Sequence, residues 1–133
     1  TLVIDHSRNG VTEIPARAFE AFGGTDLHLD LRHNGLAVWA AGAVADFGGS
    51  YLVVNASNNS LATLPPRALG GFSGSFLIVN MSNNQLTAPG PIFEGFRGTV
   101  VCTVDLSGNR LDGPALRDVV GSYQVAAAAL TVM

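Results

Sequence analysis

The chain has 133 residues, of which 47 % are apolar and 13 % are charged, and its formal net charge is −3 with no lysine. This composition excludes a disordered chain, and it excludes the polybasic surface with which proteins bind nucleic acid or membranes. The longest apolar run, residues 125–133, is too short to cross a bilayer, so no membrane span is expected in this segment. The length predicts a single domain.

A repeat of 25 residues runs through the chain, and its most regular position is an asparagine. The five asparagines in this register are Asn9, Asn34, Asn59, Asn84 and Asn109. A fixed period in the twenties is typical of a stacked solenoid. We therefore predict one solenoid over residues 1–133, with repeats at about 1–25, 26–50, 51–75, 76–100 and 101–125 and a terminal strand at 126–133. The register of that strand is left open.

Apolar and polar residues alternate before each asparagine. In the second repeat Leu27 and Leu29 share one face, whereas His28 and Asp30 share the other. This period of two predicts a short strand with one buried face. Strands of successive repeats are expected to stack in parallel, with an inward row formed by Leu27, Leu52, Leu77 and Cys102. The chain's single cysteine is therefore interpreted as a small buried hydrophobe.

The asparagines themselves are predicted to form an internal ladder. A tight turn between stacked strands leaves backbone N–H and C=O groups away from water, and an amide side chain can both donate to and accept from such groups. Because a stranded buried group costs about 1–3 kcal/mol, Asn59→Ala is expected to destabilise the fold by about that amount. Asn9→Ala, near a frayed end, is expected to cost less.

Phenylalanines form a second periodic marker, after each of the first four asparagines. Phe22, Phe47 and Phe72 keep the period of 25, Phe96 arrives one residue early, and glycine follows each within two positions. We predict one or two helical turns in each of these segments, with the four rings forming a spine across the layers. The glycines are expected to let the backbone reverse into the next strand.

Two recurring segments carry a family resemblance. The first is Leu29-x-Leu31-x-x-Asn34-x-Leu36, repeated as Val104-x-Leu106-x-x-Asn109-x-Leu111; the second starts with Ile14-Pro15 and with Leu64-Pro65. They resemble the leucine-rich-repeat family, with its consensus L-x-x-L-x-L-x-x-N-x-L, and the L-P-x-x-x-F segment of its extracellular "typical" class. The resemblance implies an α/β fold: a right-handed, curved solenoid with a parallel β-sheet on the concave face and short helical turns on the convex face. It also implies a location outside the cell or on the cell surface.

In the resembled family, partners commonly bind the concave strand face. Its predicted rows here are Val3, His28, Val53, Ile78 and Thr103; Asp5, Asp30, Asn55, Asn80 and Asp105; and Ser7, Arg32, Ser57, Ser82 and Ser107. These side chains are small, neutral or weakly acidic, and they lack the tryptophan, tyrosine or arginine cluster of a binding hot spot. A plain solvated surface is therefore an equal alternative to a binding surface.

An enzymatic reading rests on the same face. Asp5 and Asp30 should lie roughly 5 Å apart on neighbouring strands, which is also the separation of the carboxyl pair in retaining glycosidases. Ser7 and His28 share the face with Asp30. No cleft, nucleophile turn or oxyanion hole is indicated, and the scattered histidines do not form a metal site. We therefore expect no enzyme, no cofactor and no metal.

Three acceptor sequons predict N-linked glycans at Asn55, Asn58 and Asn80. Since the chain begins inside a repeat, it is expected to be a processed product or part of a larger secreted or cell-surface glycoprotein. The leading functional prediction is a non-enzymatic module that binds a protein partner. The alternative is a structural subunit, because neither end has the cysteine-rich cap usual in the family, and open ends would let copies stack head to tail into a filament.

Overall fold

The structure, a computed structural model, describes residues 2–123 and 129–133. Its elements in chain order are β1 (Leu2–Asp5), β2 (Glu13–Ile14), β3 (Asp26–Asp30), β4 (Val38–Trp39), β5 (Tyr51–Asn55), β6 (Phe76–Asn80), β7 (Val101–Asp105), α1 (Gly113–Gly121) and β8 (Ala129–Val132). Six of the strands form a main sheet in the order β1-β3-β5-β6-β7-β8, and β2 pairs with β4. All these pairs are parallel, which confirms the predicted parallel-strand solenoid of about five turns.

The period of 25 sets the register of the main sheet from β1 to β7. Leu27 pairs with Leu52, which is 25 positions along the chain, and the same offset holds for the neighbouring pairs. Between β7 and β8 the offset grows to 28, because Val101 pairs with Ala129. The strand predicted at 126–133 is thus Ala129–Val132, while residues 124–128 lie outside the described residues.

The core is a stack of identical inward rows. Leu52, Leu77 and Cys102 are 0 % exposed, and Leu36, Leu61 and Leu86 form a second fully buried row just after the asparagines. Each such leucine contributes about 1.5–3 kcal/mol of burial free energy. The solenoid is therefore held by contacts between neighbouring repeats and not by a central globular core.

The segments opposite the main sheet differ from the prediction of helical turns. In the first four repeats they are turns, and α1 in the fifth repeat is the one helix of the described chain. One reason is that some of their backbone donors bond between repeats and not within a helix: the N–H of Arg17 donates to Gly42 O (2.9 Å), and that of Gly42 to Arg67 O (3.0 Å). All three residues have positive φ, between 56° and 69°, which also interrupts a helix.

The phenylalanine rings lie in one line through the repeats. Centroids of Phe22 and Phe47, Phe47 and Phe72, and Phe72 and Phe96 are 5.7, 6.1 and 5.9 Å apart, with nearly parallel planes. The glycine two positions after each ring is needed because a side chain there would collide with the ring, and not because the backbone adopts a positive φ. A Cβ on Gly49 would lie 2.7 Å from Phe47 Cζ and 2.6 Å from the carbonyl oxygen of Thr25, and Gly49 has no positive φ.

Candidate functional site

Four of the five ladder asparagines join two repeats, as Asn59 illustrates. Its Oδ1 accepts hydrogen bonds from the backbone N–H groups of Asn34 and Leu36 in the preceding repeat, both at 2.9 Å. Its Nδ2 donates to the carbonyl oxygens of Leu31 and Ala56, both at 3.0 Å. One side chain therefore serves backbone groups that the turn would otherwise bury without partners.

The other four asparagines take equivalent positions, with one exception at the first. Asn34 Oδ1 accepts from the N–H groups of Asn9 and Val11, and the Oδ1 atoms of Asn84 and Asn109 accept from Leu61 and Leu86. The exposed Asn9 side chain only donates, to Ser7 O at 3.1 Å, within the described residues. The ladder is consequently a structural device of the inner turn and not part of the surface site.

The outer face of the main sheet, meaning the strand side chains directed away from the core, contains the predicted polar rows. The aspartate and asparagine row closes a small turn at each strand end. Asp5 Oδ1 accepts from the N–H and hydroxyl of Ser7 (2.9 and 2.6 Å), and the corresponding carboxylate or amide oxygen accepts from residue 32, 57, 82 or 107. The row that contains Asp5 and the row that contains Ser7 therefore form the turns that end the strands.

The second repeat adds an ion pair to this turn. Arg32 Nη2 lies 2.7 Å from Asp30 Oδ2, and Arg32 Nε also donates to that carboxylate. The Arg32 hydrogen bonds hold the pKa of Asp30 below its ordinary value, and the Ser7 hydroxyl does the same for the pKa of Asp5. A glycosidase acid needs the opposite shift. Ser7 donates to Asp5 and not to His28, so the structure does not assemble a triad either.

A further outer-face row, which includes Tyr51 and Phe76, is not among the predicted rows. It contains Asp26, Tyr51, Phe76 and Val101, each of which lies two residues before a member of the first predicted row. The Tyr51 ring lies between the rings of His28 (5.5 Å) and Phe76 (5.3 Å). The alternation of the third repeat, continued back from Val53 to Tyr51, would have revealed it.

With the next row, these residues make a continuous patch, which we call the apolar strip. It consists of Tyr51, Val53, Phe76, Ile78 and Val101 on β5, β6 and β7. All five are half-buried by their neighbours, and their side chains pair directly across adjacent strands. Tyrosine and other aromatic side chains are enriched at the centres of protein interfaces, and the strip adds one tyrosine and one phenylalanine to the face beside the three predicted rows.

Charge is distributed unevenly between the outer face and the rest of the molecule. The outer-face rows hold four of the ten acidic residues but one of the seven arginines, namely Asp5, Asp26, Asp30, Asp105 and Arg32. The remaining six acidic residues and six arginines balance, so the formal net charge of −3 lies on the outer face.

The three sequon asparagines differ in how their acceptor triplets are placed. Asn55 and Asn80 lie on the outer face beside the apolar strip, and their sequon serines, Ser57 and Ser82, are buried. Asn58 is exposed, with φ of 56°, on the turn beyond β5. Asn58 therefore presents the most open of the three triplets.

Neither family models, nor curated proteins, nor solved structures match this chain. Among the described residues no three His, Cys, Asp or Glu side chains are grouped as a metal site requires. In the same part of the chain no helix has the length and hydrophobicity to cross a membrane. The fold thus defines a parallel-strand β-solenoid, and the outer face is the candidate site.

Proposed function

We propose that the chain is a leucine-rich-repeat module without catalytic activity that binds a protein partner through the outer face of its main sheet, outside the cell or on its surface. The apolar strip is the observation that carries this proposal. Five adjacent half-exposed apolar side chains on a rigid sheet fit the centre of a protein interface, and the polar rows beside them fit its rim. An N-linked glycan at Asn58 belongs to the same proposal, whereas a glycan at Asn55 or Asn80 would cover the face and move protein binding to the edges or ends.

The family assignment is supported by two features of the repeat. The side-chain amides of Asn34, Asn59, Asn84 and Asn109 bridge consecutive turns, and the leucine two positions after the asparagine is fully buried in Leu36, Leu61 and Leu86. The non-catalytic role is supported by the use of the outer-face carboxylates, since Asp5, Asp30 and Asp105 accept hydrogen bonds that close strand-end turns.

A selection experiment tests the binding role. The chain is immobilised and used to select ligands from a displayed library of random 12-residue peptides, and each ligand is then tested against Phe76→Ser. We expect enriched ligands whose binding is lost with Phe76→Ser but kept with Val38→Ser, because Val38 is 48 % exposed on β4, away from the main sheet. Enriched ligands that bind both variants equally, or no enrichment at all, would refute the proposal.

The second candidate function is a structural subunit whose copies stack end to end. It is favoured by the two edges of the main sheet, where Leu2 and Val3 on β1 are 45 % and 71 % exposed and Met133 beside β8 is 57 % exposed. Within the described residues each of these strands has one neighbour in the sheet, and a strand edge of this kind can join another copy. Light scattering after size exclusion, across a concentration series, separates the candidates, since a constant monomer mass favours the binding module and growing polymers favour the filament.

A further inference from the structure

We propose that the outer face binds an extended polypeptide segment of its partner in which two apolar side chains lie between two basic ones. The inference rests on the proposed function, protein binding through this face, and specifies the chemistry of the bound segment. Three properties of the face lead to it: the position of the apolar strip, the sign of the charge around it, and the distance between its uncompensated carboxylates.

The apolar strip occupies the middle of the face. Tyr51 and Phe76 are partners in the register of β5 and β6, as are Val53 and Ile78. The edge strands contribute fewer apolar outer-face side chains: β1 has Val3 beside Asp5, and β8 has Ala129 and Thr131. Apolar side chains of a ligand are therefore best accommodated above β5 and β6.

The charge around the apolar strip is negative, and part of it has no counterion. Asp30 is paired with Arg32, but the carboxylates of Asp5 and Asp105 accept hydrogen bonds from Ser7 and Ser107 and form no ion pair within the described residues. These serines are neutral and do not compensate the negative charge of the carboxylates, while Arg32, which is paired with Asp30, acts on Asp5 without forming an ion pair with it. The face should consequently attract lysine or arginine side chains and repel phosphate and acidic ones.

The spacing of the two carboxylates defines the ligand pattern. Asp5 on β1 and Asp105 on β7 are four strand steps apart, which is about 19 Å at ~4.8 Å per step. In an extended ligand crossing the strands, side chains on one face recur about every 6.6 Å, so residues i and i+6 span about 20 Å. The row of Asp5 and Asp105 lies two residues, or about 6.6 Å, along the strands from the row of Val53 and Ile78. A ligand above that second row can extend basic side chains at i and i+6 towards Asp5 and Asp105, while residues i+2 and i+4 face the Val53 and Ile78 part of the apolar strip.

Three capped peptides test this pattern by nuclear magnetic resonance titration of the full chain. The first is Lys-Thr-Val-Thr-Phe-Thr-Lys, the second has glutamate in place of both lysines, and the third has serine in place of valine and phenylalanine. We expect the first peptide to shift the amide signals of Val53 and Ile78, and to bind at least tenfold more tightly than either of the others. Equal or tighter binding of the glutamate peptide, shifts confined to residues outside the outer face, or no binding of the first peptide would overturn the inference.

A charge variant tests whether these two carboxylates, and not the net charge of the chain, attract the lysine peptide. In the Asp5→Asn/Asp105→Asn variant both positions receive the residue that stands naturally at Asn55 and Asn80, whose amide oxygens accept the same turn hydrogen bonds, so the fold is retained. We expect this variant to bind the lysine peptide several-fold more weakly, and Asp118→Asn, an exposed carboxylate on α1, to bind it as the unmodified chain does. An unchanged affinity in the double variant would contradict the role of the two carboxylates.

The library selection distinguishes this inference from the proposed function beneath it. Ligands that depend on Phe76 but carry no basic residues would leave the proposed function standing and overturn the inference. Failure of both the selection and the lysine peptide would overturn the two together.

Discussion

Replacement of Asn59 by alanine is the sharpest perturbation of the repeat. The change removes an amide whose oxygen accepts from the N–H groups of Asn34 and Leu36 and whose nitrogen donates to two carbonyls in different repeats. Leu36 is 0 % exposed and Asn34 is 8 % exposed. Their N–H groups would therefore lose their partners at positions that water reaches poorly.

The structure supplies the magnitude and a matched control. Two stranded donors at about 1–3 kcal/mol each predict a loss of about 2–6 kcal/mol for Asn59→Ala. This is a large part of the total, since domains are stable by only about 5–15 kcal/mol. Asn9→Ala makes the same chemical change in the same register, but the exposed Asn9 side chain has one hydrogen bond, to Ser7 O, among the described residues, so its cost should stay below about 1 kcal/mol.

Urea unfolding followed by tryptophan fluorescence is the suitable assay. Trp39 is the only tryptophan of the chain and is 1 % exposed, so its emission reports loss of the core. The dependence of stability on urea must match among the variants for the midpoints to be compared. Equal midpoints for Asn59→Ala and Asn9→Ala would refute the reasoning that the inner amides satisfy buried backbone groups.

Three further predictions concern packing, the thiol and pH. Gly49→Ala should destabilise by about 1–3 kcal/mol, because the new Cβ would overlap the Phe47 ring, whereas Gly48→Ala, with no atom within 4 Å of its Cβ, should be nearly neutral in urea unfolding. Burial raises the pKa of Cys102 to about 12, so a thiol reagent at pH 8 should label it only after unfolding. The pKa of Asp30 is lowered on folding, chiefly by Arg32, so thermal stability should fall as pH drops below about 4, less steeply in Asp30→Asn.

Each of these predictions has a contradicting result. Equal stability of the two glycine variants would mean that the ring contact is not tight. Rapid labelling of Cys102 in the native chain would mean that its row is open to solvent. For Asp30, a lowered folded-state pKa gives stability that is present above the unfolded-state pKa and lost as pH falls through the folded-state value. An identical acid dependence in Asp30→Asn would therefore show that the carboxylate contributes none of it.

The sheet was predictable because its information is local and periodic. The alternation around Leu27 and Leu29 defines one strand, and the period of 25 then defines its partners without any knowledge of distant contacts. The 28-residue step to Ala129 was not predictable in this way, since α1 lengthens the fifth repeat. Asp112 and Pro114 did signal that helix, for an N-cap aspartate followed by proline in the first turn is a typical helix start.

The turns opposite the sheet were not predictable from one repeat alone. Phe19 and Phe22 have helical spacing, but the N–H of Ala18 bonds to Ala43 O in the next repeat. Such bonds exist only once repeats are stacked, so tertiary structure overrides the local pattern. The apolar strip is absent from the prediction for a simpler reason: the predicted outer rows begin at Val53 and Ile78, whereas the strands begin two residues earlier, at Tyr51 and Phe76.

The central claim is that consecutive repeats stack in parallel with a 25-residue register, and methyl nuclear Overhauser spectra of the chain test it most directly. In that register Val79 lies between Val54 and Val104 in one buried row. The account predicts strong cross-peaks between the methyl groups of Val54 and Val79 and between those of Val79 and Val104. It predicts none between Val54 and Val104, two strand steps or about 9.6 Å apart. A cross-peak between Val54 and Val104 without the other two would contradict the stacking on which the candidate site depends.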